Sequence, residues 1–354
     1  MLGRTLVCLV VVPLLPRDAP AIDPLAETCR PAAIAGPTAA ARRRTVAERF
    51  APTLYQEVLD PPRDFIAAFD FDGDWDGANN RAHVASFPLR AALYYTVVET
   101  ATHWFVQYLP YHPTDYKRIG GHAHDTESIL LAVRKLDGGA RLEAMETRFH
   151  KVWYQYAAAG AVLGDGADDV DGTIHLDEEG RPAVNVQRVG HGLCGGLAPL
   201  APIRELELLC DHRRAPAIQA RGVVYRFTGA AELPSPSARV QTRGYALVEM
   251  GTTLWAHRGD PRTCGRRIDY LGERCATPSW HCPHGLGAFL ADGSPHGDGA
   301  ELPWGQTPGK GAAALGEQFF DPALTLGRRL RFAAPYALDY EFNPFLGIGP
   351  LPTT

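Results

Sequence analysis

The chain has 354 residues, 45% hydrophobic and 21% charged, with 36 Gly and 29 Pro. That is enough apolar material for a large core, and it excludes both disorder and collagen-like repetition. A formal charge of −5 supplies no broad cationic field, so composition excludes nucleic acid as an expected partner.

The chain opens with Arg4, an apolar run from Leu6 to Leu15, and then Ala19, Pro20 and Ala21 in small-x-small order, the pattern of a signal peptide over residues 1–21. The run is shorter than the ~20 apolar residues that cross a bilayer. The expected mature protein is therefore secreted or periplasmic. Losing Cys8 with the leader leaves Cys29, Cys194, Cys210, Cys264, Cys275 and Cys282, an even set expected to form disulfides of undetermined pairing.

Residues 22–45, rich in Ala, Pro and Arg, are expected to be a mobile lead-in whose basic run Arg42, Arg43 and Arg44 is solvated. A single domain is expected over 46–354. Ala91–Glu99, His103–Leu109 and Ser128–Arg134 are rich in β-branched and aromatic residues, and the first two are close enough to form a hairpin. Ala183–Val189, Val223–Thr228 and Tyr245–Met250 are further strand candidates, while helical periodicity is scarce. Many short strands without βα alternation predict a mainly β protein, an antiparallel β-sandwich with long loops. From about Gly251 to Gly311 the chain carries Gly, Pro, Cys and His with little periodicity, and a disulfide-tied C-terminal extension is expected there. The spacing of Cys264, Cys275, His281, Cys282 and His284 fits no standard zinc finger, and export favours disulfides.

The densest chemistry lies in Tyr108–Glu127, YLPYHPTDYKRIGGHAHDTE. Asp115, His122, His124, Asp125 and Glu127 surround the flexible pair Gly120 and Gly121, and carboxylates with an imidazole on a glycine-bent loop suit a divalent cation. The alternative is a polar loop whose side chains bond locally. In a strand, Asp125 and Glu127 would share one face.

The stretch GHAHDTE, preceded by YHPTD, resembles the GHRHDWE heptapeptide and preceding Tyr-x-Pro-x-Asp segment of the necrosis- and ethylene-inducing-peptide-like proteins, the NLP cytolysins. That resemblance implies a secreted β-sandwich with a cleft-bound divalent ion that engages sphingolipid headgroups. It implies Asp115, His122, Asp125 and Glu127 as metal-site residues, with His124 alongside. RLEAMETRFH is similar to the family's return strand ending in a histidine, here His150. Ala123 and Thr126 depart from the heptapeptide's Arg and Trp, and the segment after Gly195 has no counterpart, so the likeness spans about residues 48–195. VNVQRVGHG is similar to a Gly-His strand end in a fungal vacuolar-protein-sorting-related family, which makes His191 a cleft candidate. The stretch from FDFDGDWDGANN through YKRIGGHAHDTE also resembles a group of bacterial exported proteins.

Asp72, Asp74 and Asp76 give the Asp-x-Asp-x-Asp-Gly opening of a calcium loop, but position twelve is His83 and not the bidentate Glu. A second, irregular metal loop and an Asp/Asn/Gly turn both fit this pattern. The acidic stretch Asp165–Glu179 reads as a solvated loop. No G-x-S-x-G element, phosphate loop or dinucleotide fingerprint is present, so neither a nucleophile elbow nor a nucleotide cofactor is expected.

The expected function is metal-dependent binding of a sugar or membrane lipid headgroup, cytolysin-like, with Ca2+ favoured and Mg2+ or Mn2+ compatible. One alternative is a metal-dependent hydrolase in which His124, His150 or His191 moves a proton. The other is a non-catalytic envelope protein. Oligomeric state is not legible.

Overall fold

The computed structural model describes residues 32–34, 36–77, 79–116, 122–150, 152–161, 163–165, 169–200, 210–257, 302–306 and 316–351. The expected signal peptide and Cys29, Cys264, Cys275 and Cys282 lie outside the described residues.

In chain order the strands are β1 (Ala32–Ala33), β2 (Thr53–Glu57), β3 (Ala92–Thr100), β4 (His103–Asp115), β5 (His122–Thr126), β6 (Ile129–Leu136), β7 (Gly139–Phe149), β8 (Val152–Ala157), β9 (Leu163–Asp165), β10 (Gly172–Thr173), β11 (Ala183–Val186), β12 (Leu193–Cys194), β13 (Gly222–Phe227), β14 (Val240–Glu249), β15 (Leu330–Phe332) and β16 (Tyr340–Phe342). All but β9 and β15 belong to one curled sheet, ordered β10-β8-β7-β6-β4-β3-β14-β13-β2-β11-β12, with β1, β5 and β16 paired to β7, β4 and β3.

This mixed sheet corrects the expected antiparallel sandwich. β8, β7, β6, β4 and β3 are successive antiparallel neighbours, but β14 runs parallel to both β3 and β13, and β11 runs parallel to β2. Connection length is the physical reason. Two-residue turns join β3 to β4 and β6 to β7, forcing reversal, whereas twelve residues separate β13 from β14 and allow a crossover. Thus part of the segment after Gly195 supplies interior strands of the sheet.

Both faces of the central strands are covered. Trp104, Val106 and Tyr108 of β4 enter one core with Val46 and Ala47 of helix α1 (Ala39–Arg49). Phe105, Leu109 and Tyr111 enter a second, with Trp255, Trp304, Phe319, Phe320 and Phe345. Burial on both sides explains why these strands read as nearly continuous apolar runs. Helix α1 starts inside the expected mobile lead-in. Thr38 caps it by accepting from the Ala41 amide at 3.1 Å, and Arg43 pairs with Glu99 at 3.1 Å instead of facing solvent.

One feature of the sheet creates the site. β4 pairs with β6 through Tyr108 and then runs past it, where β5 takes over and sets His112 opposite Asp125 and Asp115 opposite His122. The Cys194–Cys210 disulfide, with a Cα separation of 6.0 Å, ties β12 to the chain entering β13.

Candidate functional site

Beyond β6, the β4–β5 ribbon meets the one-turn helix Pro61–Asp64, the end of β7, and the turn between β11 and β12. Among the described residues, the non-glycine residues with positive φ are His124 (57°), His150 (56°), Val189 (77°) and His191 (52°). All four belong to these segments. Such conformations cost about 1–3 kcal/mol each and persist only where surrounding contacts impose them. Val189 is the least tolerant, because a β-branched side chain crowds the left-handed backbone.

The centre is His191, a fully buried ring between two buried carboxylates. Its Nδ1 lies 2.7 Å from Asp125 Oδ2 and its Nε2 3.2 Å from Asp64 Oδ1, so both nitrogens donate and the ring is an imidazolium. Burial alone would depress this imidazole, but the bonds to Asp125 and Asp64 outweigh it and hold the pKa at about 9. Asp64 accepts three bonds at Oδ2, from the Leu59 and Asp60 amides and the Tyr116 hydroxyl. Its Oδ1 takes the Val189 amide as well as His191. Burial pushes the Asp64 carboxyl up, yet His191 and these donors bring it below the ordinary carboxylate range.

His112 stacks on His191 with ring centroids 3.7 Å apart and planes within 4°. Its Nε2–H donates to Gln56 Oε1 at 3.0 Å, and its buried Nδ1 has no hydrogen-bond partner. Burial and the neighbouring His191 charge push its pKa well down, so a neutral ring covers a charged one.

His124 faces a different environment. Its Nε2 is 2.7 Å from the Gly77 carbonyl and must donate, which leaves Nδ1 to accept from the Tyr111 hydroxyl at 2.7 Å. Asn80 donates to Tyr111 in turn, and the ring stacks on Phe69 at 5.2 Å. A Cβ on Gly77 would stand 2.9 Å from Phe69 Cζ and 3.2 Å from His124 Nε2, so only glycine permits this approach. Glu127 accepts the His150 amide at 3.0 Å and pairs with buried Arg148 at 3.3 Å, while His150 Nε2 lies 3.1 Å from Gln187 Oε1.

Thus Asp125 and His191, two residues singled out in the sequence, are in direct contact. Asp115 is buried and opposite His122 in register, and the side chain of His122 lies outside the described residues. Among the described residues, no group of three or more His, Cys, Asp and Glu is gathered as a metal site. The Asp72–Asp76 loop binds its own backbone: Asp74 accepts from the Asp76 amide at 2.7 Å, and His83 donates to Asp72 at 2.6 Å. The histidine at the loop's twelfth position therefore engages its first aspartate. Sequence reasoning missed Asp64 and His112. His112 stood in the YHPTD segment, but nothing around Pro61-Pro62-Arg63-Asp64 marks that aspartate as the base of the site.

No family model and no curated protein matches the chain. Solved structures similar to it include one described as a toxin fold for microbial attack and plant defense, 17% identical, covering 46% of this chain and 72% of that one with a TM-score of 0.30. NLPPya in complex with glucosamine is 16% identical, with coverages of 47% and 73% and a TM-score of 0.29. Non-toxic HaNLP3 is 15% identical, with coverages of 53% and 77% and a TM-score of 0.30. These structures come from the NLP group that GHAHDTE resembles, and at such scores they bear on no functional step.

Proposed function

We propose that the chain is an exported binding protein that takes a hydroxylated headgroup, a glycan or the sugar of a membrane lipid, at the β4–β5 site with the help of a divalent cation. The observation that carries this reading is the clustering of the four strained non-glycine residues around buried carboxylates. Strain of this kind concentrates at ligand sites.

The chemistry of the donor set fits a hard cation. Asp115, Asp125 and Glu127 provide carboxylate oxygens and His122 an imidazole. Contacts from His191 to Asp125 and from Arg148 and the His150 amide to Glu127 are of the kind that orient ligating carboxylates. Such an ion, when bound, would supply fixed coordination positions for sugar hydroxyls. The chain's own residues do the remaining work. Asp64 anchors His191, His191 fixes one oxygen of Asp125, and the His112 ring covers the imidazolium from one side.

Binding is favoured over hydrolysis by the three histidines that were candidates for moving a proton. His124 and His191 have both ring nitrogens bonded, and His150 has Nε2 on Gln187 and Nδ1 3.6 Å from Glu127. A proton shuttle needs a nitrogen open to substrate. The Cys194–Cys210 disulfide supports an oxidising compartment. No described helix is long and apolar enough to cross a membrane.

The test uses wild-type protein purified without chelator, with metal content and glycan-array or glycolipid-vesicle binding measured before and after EDTA. The reading expects one ion per chain and loss of binding once it is removed. Undiminished binding by metal-free, folded protein would refute the role of the cation.

A further inference from the structure

A separate cavity of about 250 Å³ opens between α1, the middle of β3 and the C-terminal segment, and none of its lining residues belongs to the β4–β5 site. Val97, Phe342, Pro344 and Leu351 make its apolar wall, and Arg43, Arg44, Tyr95 and Glu249 bring polar groups to it. The volume lies below the ~300–1,000 Å³ of drug-sized pockets, which restricts an occupant to a small molecule.

The arginines are held in place with donors to spare. Arg43 lies flat on Phe342, with its guanidinium carbon 3.5 Å from the ring centroid, and gives one bond from Nη1 to Glu99. Arg44 donates from Nε to Glu48 and from Nη1 to the Tyr95 hydroxyl at 3.2 Å. A guanidinium carries five N–H donors, so each retains unused ones. The lining carboxylate is Glu249, which accepts the Thr252 amide at 2.8 Å and whose pKa is raised, first of all by burial.

We propose that this cavity is a second binding site, for a small zwitterion of the α-amino-acid type bearing an apolar side chain. The charge pattern selects that class. A simple carboxylate would meet Arg43 and Arg44 but also the half-buried Glu249, and a simple amine would meet Glu249 but also two guanidinium groups. A molecule with both charges satisfies each wall, its carboxylate on the arginines and its ammonium on Glu249, while its side chain covers Val97, Phe342 and Leu351. Charge-assisted bonds at both ends supply the selectivity.

Isothermal titration calorimetry on the full chain tests the proposal with leucine and phenylalanine. Isopentylamine and phenethylamine serve as the amines without the carboxylate, and 4-methylpentanoate and 3-phenylpropanoate as the acids without the ammonium. One amino acid is expected to bind at a single site, with each half-molecule weaker by about tenfold or more, the equivalent of losing a hydrogen bond to a charged group. Glu249→Gln should erase the preference for the amino acid over the acid, and Arg44→Met, at a half-exposed position, should erase the preference over the amine. Both variants are first checked for unaltered thermal unfolding. No binding of either amino acid to folded wild-type protein would overturn the proposal. So would equal affinity for the acids, or binding indifferent to both substitutions.

Discussion

A buried histidine–carboxylate system lies at each end of strand β4, and the two are built in opposite ways. At its start, His103 donates from Nε2 to Glu143 at 3.1 Å, and Glu143 also takes Arg134 and Arg141. Arginines supply the positive charge there, burial pushes the His103 pKa down, and the backbone is ordinary. Arg134 and Thr102 then clasp the C-terminal segment through the Pro335 carbonyl and the Ala337 amide. At the other end an imidazolium is the charge between Asp64 and Asp125, and the surrounding backbone is strained. The first arrangement is what a fold uses to fasten two segments. The second holds costly conformations for which fastening alone gives no reason, and this contrast is why the β4–β5 end is read as the ligand site.

The largest expected effect comes from unbalancing the strained end. Asp64→Ala leaves His191 with one counter-ion and orphans the Leu59 and Val189 amides and the Tyr116 hydroxyl, so it should lower stability by about 3–5 kcal/mol in urea or guanidinium unfolding. Asp125→Asn should be costly for the same reason. Loss of ligand binding in that variant is therefore interpretable only beside its measured stability.

The fastening end should respond to acid. Burial pushes the Glu143 carboxyl up, but His103, Arg134 and Arg141 outweigh it and hold the pKa at about 2. A depressed carboxylate contributes stability that is present above its unfolded pKa of about 4.3 and lost as pH falls toward the folded value. Between about pH 4.5 and 2, wild type should lose stability more steeply than Glu143→Gln, as measured by denaturant midpoints across that range.

Gly77→Ala tests the close approach to His124. Its Cβ would press on Phe69 and the His124 ring, an overpacking cost of about 1–3 kcal/mol, and a thermal melt with a headgroup-binding assay would show whether the ring's position matters to ligand. The smallest effect is expected at Val189→Gly. Removing a buried valine side chain usually costs about 1.5–3 kcal/mol, but relief at φ 77° returns part of it, so the measured loss should fall below that range.

Parts of this contrast were legible in the sequence. β3, β4 and β6 could be found because both faces of each are buried and their residues are β-branched or aromatic throughout. The parallel neighbours of β14 could not, since a strand's direction depends on a connection whose path the period of two does not encode. The start of helix α1 was hidden by its arginines, which resemble a solvated run until Arg43 is seen to pair with Glu99. Within the site, GHAHDTE announced itself by composition and His191 by a motif likeness. Asp64 is 61 residues from Asp125 in sequence, and its function exists only once β4, β5 and the β11–β12 turn have assembled around it.

The most direct test of the central claim is a heteronuclear NMR titration of histidine-labelled protein, first with Ca2+ or Mg2+ and then with a bound glycan. The account predicts that the His191 and His112 ring signals move with ligand while those of His103, at the fastening end of the same strand, stay fixed. Ligand-dependent shifts at His103 with His191 and His112 unmoved would contradict it.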